Sequence, residues 1–263
     1  MPDDDRTDDK QPERPEDGEL ETQPERVISL VDPDLQEEEA EVESEELVSE
    51  QQLPDDLPVL PQSGNVIFPH VVLPARVREE EHLDVIEEVV MGDKLFLALA
   101  ARDEEEEEQE PPDNLYRVGT VCSVVQMVKM PDGTVRFLAQ GIARARAESF
   151  FQSEGHLHAA VDYLEDERAE DETEKALLRN LRTQFLGLVE MLPNAGEEVE
   201  AMITNIGDPG RLADMVASNL NISVAEKQEV LESTDVTKRL ERVGELLAQE
   251  MEYLQVAQKI QSR

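Results

Sequence analysis

The sequence predicts an α+β fold, with strands first and helices after. Three observations carry this. Between Leu57 and Leu164 the apolar residues fall in short, β-branched runs broken by Pro and Gly. Pro131-Asp132-Gly133 separates two such runs and is the strongest hairpin signal in the chain. From about Arg168 onward the apolar residues recur at helical spacing instead.

The chain divides into three parts: 1–53, 54–165 and 166–263. Its 263 residues carry 63 acidic and 24 basic side chains, a formal charge of -39. Residues 1–53 hold 21 of the acids and 4 of the bases, leaving 42 and 20 for the rest. This Glu-, Asp- and Pro-rich tail cannot bury enough apolar surface to offset its ordering entropy, so a disordered acidic tail is expected. A short helix near Leu35–Val48 is compatible with its Glu and Ala content. The tail reads as a solvating segment, with a docking element for a partner as the sharper alternative.

Composition changes abruptly at Leu57-Pro58-Val59-Leu60-Pro61. Asn65–Phe68 and Val71–Val77 are strand candidates, and Pro69 and Pro74 confine them to edges or irregular positions. Glu80–Met91 reads as a helix with Leu83, Ile86, Val89 and Val90 on one face. Lys94–Ala101 is a candidate buried strand. The segment 102–113 contains the glutamate run Glu104–Glu108 and reads as an exposed, self-repelling loop. Strands are expected at Tyr116–Met130, Thr134–Gly141, Ala143–Phe151 and His156–Tyr163, about six in all. In the last, His158, Ala160 and Asp162 share one face and Leu157, Ala159, Val161 and Tyr163 the other.

A long helix follows over Arg168–Leu192, with Leu177, Leu178, Leu181, Phe185, Leu188 and Val189 at helical spacing, and then Glu197–Ile206. Asp208-Pro209 pairs an N-cap with Pro at the first helical position, opening a helix to about Asn219. Ser223 and Glu226 form a capping box that opens the next, to about Leu231. The final helix, 235–263, would span roughly 43 Å at about 1.5 Å per residue. Val236, Leu240, Val243, Leu247 and Leu254 trace a heptad-like seam along it. No Gly or Pro closes that helix at Arg263, which suggests a continuing chain.

Little in the sequence points to chemistry. There is no Gly-x-x-x-x-Gly-Lys-Ser/Thr phosphate loop, no Gly-x-Gly-x-x-Gly and no Gly-x-Ser-x-Gly. His156 and His158 could share a metal, but no third His or Cys lies near them in sequence, so an ordinary strand face is expected. His70 reads as structural, and Cys122, inside the apolar run Val118–Val128, as an inert core thiol. The single Cys rules out an intramolecular disulfide and fits a reducing cytoplasm. The start Met1-Pro2-Asp3-Asp4-Asp5 is no signal peptide, and the longest clean apolar run, Leu95–Ala101, is too short to span a bilayer. A soluble cytoplasmic protein is expected. The negative charge and the 3% aromatic content argue against nucleic acid, and the charge also against anionic membranes.

Three stretches, in order, resemble the amino-terminal region of ATP-dependent Lon proteases. The first is Leu57–Pro61, then Val66-Ile67-Phe68-Pro69-His70 and Leu73-Pro74. The second runs from Val118-Gly119-Thr120-Val121 through Gln126-Met127 and Pro131–Thr134 to Gly141 and Arg144-Ala145-Arg146. The third is Asp208–Asp214, Lys227-Gln228 and Leu254-Gln255-Val256. The acidic tail, the glutamate loop, Gln62–Asn65 and Glu79–Glu81 depart from the usual pattern. The resemblance implies a PUA-like β-barrel subdomain at 54–165 and an α-helical bundle at 166–263 ending in the long helix.

It further implies a region that selects substrate proteins and helps assemble a homo-oligomer, a hexamer in the family. ATP, Mg and a Ser-Lys protease dyad would belong to parts of the protein that this chain lacks; no catalytic residue is expected here. On that reading Phe68, Pro69, Val71, Val72, Leu73 and Pro74 form an apolar patch for unfolded or tagged substrates, or are simply core. Leu240, Val243, Leu247 and Leu254 meet a partner helix, within the bundle or from another copy. The alternatives are a stand-alone adaptor with no ATPase in cis, and a small-molecule enzyme, for which no constellation stands out.

Overall fold

The computed structural model describes residues 53–77, 80–102, 111–130, 133–191 and 197–261. The acidic tail before Leu53 and most of the glutamate loop lie outside them, as do Pro131 and Asp132 of the hairpin turn. The fold is α+β, in the order strands then helices that the sequence predicts.

The strands are β1 (Asp56–Gln62), β2 (Val72–Val77), β3 (Leu95–Ala100), β4 (Val118–Lys129), β5 (Val135–Ser153) and β6 (His156–Leu164), with helix α1 (Glu80–Met91) between β2 and β3. They form one sheet in the order β2-β5-β4-β3-β1-β6, and β6 pairs with β5 as well. The pairing circuit β5-β4-β3-β1-β6 therefore returns to its starting strand. All pairings are antiparallel except β1 with β3. The edge position of β2, which pairs only with β5, is what Pro74 requires.

Leu57–Pro61, expected among the opening strands, forms most of β1. Its prolines are tolerated because the register pairs Pro58 only with β6 and Pro61 only with β3, which leaves each a side without a partner strand where a nitrogen lacking its hydrogen costs no ladder bond. Two expectations are corrected. Asn65–Phe68 is not a strand; the chain just after it meets β5 at Gly141 instead. There the His70 N–H donates to the Gly141 carbonyl, and the Gly141 N–H to the Val71 carbonyl, both at 2.9 Å. Finally, Thr134–Gly141 and Ala143–Phe151 are one continuous strand, β5. Gly141 marks a close approach and not a break: a Cβ there would sit 2.1 Å from the Phe68 carbonyl oxygen.

Helix α1 lies against the inward face of β3, β4 and β5, where Val85, Ile86 and Val89 pack with Phe96, Cys122 and Phe137. A second cluster, with Leu57, Val59, Leu97, Leu99, Val121 and Ala159, lies on the alternate face of β3 and β4 and takes in β1 and β6. The largest cluster belongs to the helices α2 (Glu172–Glu190), α3 (Glu197–Asn205), α4 (Pro209–Asn219), α5 (Val224–Glu232) and α6 (Val236–Gln261). Phe68, Val71, Ala100 and Val118 join that cluster from the strand side, so one core runs across both halves.

The helix ends follow their caps. Asp208 accepts from the Arg211 N–H at 2.7 Å, with Pro209 opening α4. Ser223 and Glu226 complete their capping box on α5. Helix α2 starts four residues later than Arg168, because Asp171 caps it and Arg168 is drawn aside. Arg168 donates to Glu174 at 2.8 and 3.0 Å and to Asp208 at 2.7 Å.

Candidate functional site

Among the described residues of the strand half, three of the exposed large hydrophobics, Val72, Val125 and Val128, gather on the outward face of β2, β5 and β4. On β2 the exposed positions are Val72, Pro74 and Arg76; Leu73, Ala75 and Val77 turn inward. On β5 the same side carries Arg136, Leu138 and Gln140. The register sets these residues in rows: Arg76 beside Arg136 and Val128, Pro74 beside Leu138 and Gln126, Val72 beside Gln140 and Ser123.

A bulge between Val124 and Gln126 pushes Val125 onto this side as an extra residue. Val72, Val125 and Val128 are 50%, 52% and 44% exposed, too open for core residues of a strand. In a chain with 63 acidic residues, these outward positions include two arginines and no carboxylate. Arg76 and Arg136 have no ion-pair partner among the described residues.

Of the six residues expected to touch substrate, the structure divides the set. Phe68 (0% exposed), Pro69 and Val71 are buried, Phe68 and Val71 in the helical core. Val72 and Pro74 are exposed and Leu73 is half-buried. Val125, Val128, Leu138 and the two arginines escaped the sequence reading, because the bulge and the register decide which side each faces. The available signal was the alternation Val135-Arg136-Phe137-Leu138-Ala139-Gln140, which marks one strand face as wet. Of the expected oligomer contacts, Leu240, Val243 and Leu247 are buried inside this chain, and Leu254 packs on the same cluster. Their partner helices are α2 and α4. Farther along α6, Tyr253, Val256 and Ile260 share another side and are exposed.

Charged groups join the two halves. Arg144 of β5 is buried, donating to the Leu231 carbonyl at the end of α5 at 3.0 Å and to Asp214 of α4. Arg239 of α6, fully buried, donates to the Ser233 carbonyl at 2.9 Å, to Asp214 at 3.3 Å and to Asp166 at 2.5 and 3.1 Å. Two cations thus share two carboxylates, and backbone carbonyls take the two Nε–H groups. Gly210 leaves the space: a Cβ there would lie 2.3 Å from an Asp166 carboxylate oxygen. Gln228 of α5 adds a bond to the Val118 carbonyl of β4 at 2.8 Å.

The other candidates are structural in their surroundings. His158 is buried, its ring 5.7 Å from that of Phe151, and Glu88 of α1 approaches His158 at 3.3 Å and His156 at 3.9 Å. Among the described residues, no group of three His, Cys, Asp or Glu side chains is arranged to hold a metal. Burial pushes the Cys122 thiol far up, which keeps it protonated and unreactive. Among the described residues no helix is long and apolar enough to cross a membrane.

Residues 56–249 match the family model of the ATP-dependent protease La (LON) substrate-binding domain. The chain belongs to this family. It is 35% identical over 221 residues to the Lon protease of Dictyoglomus thermophilum, covering 84% of this chain and 28% of that protein. It is likewise 35% identical over 208 residues to the Lon protease of Escherichia coli K12, covering 79% of this chain and 26% of that one. The chain thus spans about a quarter of the length of these curated relatives. In structure it resembles the N-terminal domain of a Mycobacterium avium complex Lon protease. That likeness has a TM-score of 0.60 at 20% identity, over 73% of this chain and 98% of that one. A Lon N-terminal domain protein from Xanthomonas campestris gives a TM-score of 0.52 at 17% identity, over 72% of this chain and 96% of that one.

Proposed function

We propose that this chain holds protein substrates for an ATP-dependent Lon-type serine protease, and that it does so through the outward face of β2, β5 and β4. The observation that carries the reading is the grouping of Val72, Pro74, Leu138, Val125 and Val128 on one side of three paired strands. Among the described residues, the paired positions on that side include no carboxylate, on a chain of net charge -39. Misfolded and short-lived regulatory proteins expose apolar segments, which such a surface can hold weakly. Weak holding suffices where several copies surround one pore, because tethering raises the effective concentration.

The closed pairing circuit supports reading the strand half as a PUA-like barrel. The family membership supports placing ATP, Mg and the Ser-Lys dyad in the portion of the relatives that this chain does not span. The buried single thiol of Cys122 fits a cytoplasmic location. For self-association we favour the exposed side of α6 with Tyr253, Val256 and Ile260 over the Leu240, Val243 and Leu247 seam, which this chain satisfies itself.

The test is the affinity of the full chain for a fluorescent protein kept unfolded by reduction and alkylation. Val72→Ser with Val128→Ser should weaken binding roughly tenfold, about 1.4 kcal/mol. Stability should change little at these exposed positions. Unchanged affinity in a folded double variant would rule the face out.

A further inference from the structure

We infer that the β2-β5-β4 face selects extended apolar segments that carry a carboxylate close to the apolar run. The inference rests on the substrate-binding reading above and adds the chemistry of the preferred segment. Arg76 and Arg136 are directly opposite each other across β2 and β5. Like charges in that position repel and destabilise the pair of strands. The chain nevertheless leaves both exposed and, among the described residues, without an acidic partner, although 63 carboxylates are present in it. Elsewhere its buried arginines are closely paired: Arg144 and Arg239 each meet Asp214 and Asp166. Each guanidinium can donate two parallel N–H···O bonds to a carboxylate, and two arginines side by side concentrate positive charge for one.

The register fixes where that fork lies relative to the apolar residues. Arg76, Arg136 and Val128 form one row at the end of the face; Pro74 and Leu138 are in the next row, and Val72 in the row after. Successive rows are two residues apart, about 7 Å at roughly 3.3 Å per residue. A bound segment running along the strands would therefore place its carboxylate about two to four residues from the side chains that cover Pro74, Leu138 and Val72. A partner of this chemistry complements both features of the face, the apolar rows and the two arginines at its end.

The overall charge of the chain makes the test sharp, because a field from -39 charges favours basic ligands over acidic ones. Two fluorescent peptides with the same apolar core are compared on the full chain at about 0.15 M salt, one flanked by aspartates and one by lysines. The aspartate peptide should bind roughly tenfold more tightly. In the full chain carrying Arg76→Gln and Arg136→Gln, that preference should vanish or reverse. Lysine-flanked peptide binding as well or better on the unaltered chain would overturn the inference.

The Val72→Ser, Val128→Ser variant separates the two failures. If it weakens both peptides equally while the arginine variant changes nothing, the surface stands and its charge selectivity falls. If neither variant matters, the surface itself falls. Should the chain bind neither peptide and sediment as a dimer that Val128→Ser dissociates, the occupant is a second copy and the inference is likewise overturned.

Discussion

Replacing Arg144 with methionine should destabilise the full chain by about 3–5 kcal/mol, the usual consequence of removing one partner from a buried ionic cluster. The cluster is balanced, with Arg144 and Arg239 against Asp166 and Asp214. Loss of one cation leaves an uncompensated buried negative charge and also strips the Leu231 carbonyl of its donor. For a folded region of about 200 residues the expected drop in melting temperature is roughly 6–20 °C. Adding Asp214→Leu restores the balance with one cation and one carboxylate, so the double variant should lose less than the sum of the single losses. Urea unfolding of the full chain, with the two singles and the double, reads this coupling. Strict additivity would mean that Arg144 acts through packing and not through charge.

Phe68→Ala should cost a further amount of similar size, about 3–5 kcal/mol, because it empties a fully buried aromatic site where the strand and helical halves share one core. The site has little room to collapse. The Phe68 backbone is held against Gly141, whose neighbouring N–H and carbonyl bonds tie residues 70 and 71 to β5. Phe68→Leu, which largely keeps the volume, should cost much less. The same pair decides whether Phe68 touches substrate. If it is core only, the leucine variant binds the unfolded probe as the parent does, at a temperature where both are folded. A tenfold loss of binding without loss of stability would return Phe68 to the binding surface.

The helical half was the more legible in sequence because its boundaries are local. Asp208 with Pro209 and Ser223 with Glu226 are each set within a turn of chain. The strand half depends on contacts distant in sequence. Whether Gly141 ends a strand or admits a crossing segment is decided by Phe68, and whether Phe68 is a surface or a core residue is decided by α2 to α6. The binding face was visible only in part for the same reason. Val72 and Pro74 stood out as apolar residues near prolines, but the bulge at Val125 shifts the register that puts Val128 beside Arg136. Arg144 stood out only through resemblance, since its partners Asp166 and Asp214 come from two other places in the chain. The seam on α6 could be read, but not its partner, because helical periodicity is the same against α2 as against another copy.

The most direct measurement is site-specific photo-crosslinking on the full chain. A photoreactive side chain is placed at Val125 on the β2-β5-β4 face and, separately, at Met91, which is 86% exposed at the end of α1 on the opposite side of the sheet. Each is irradiated with a labelled unfolded protein. Adducts at position 125 and none above background at position 91 are expected. Equal labelling at both, or labelling at position 91 alone, would contradict the assignment of substrate binding to this face.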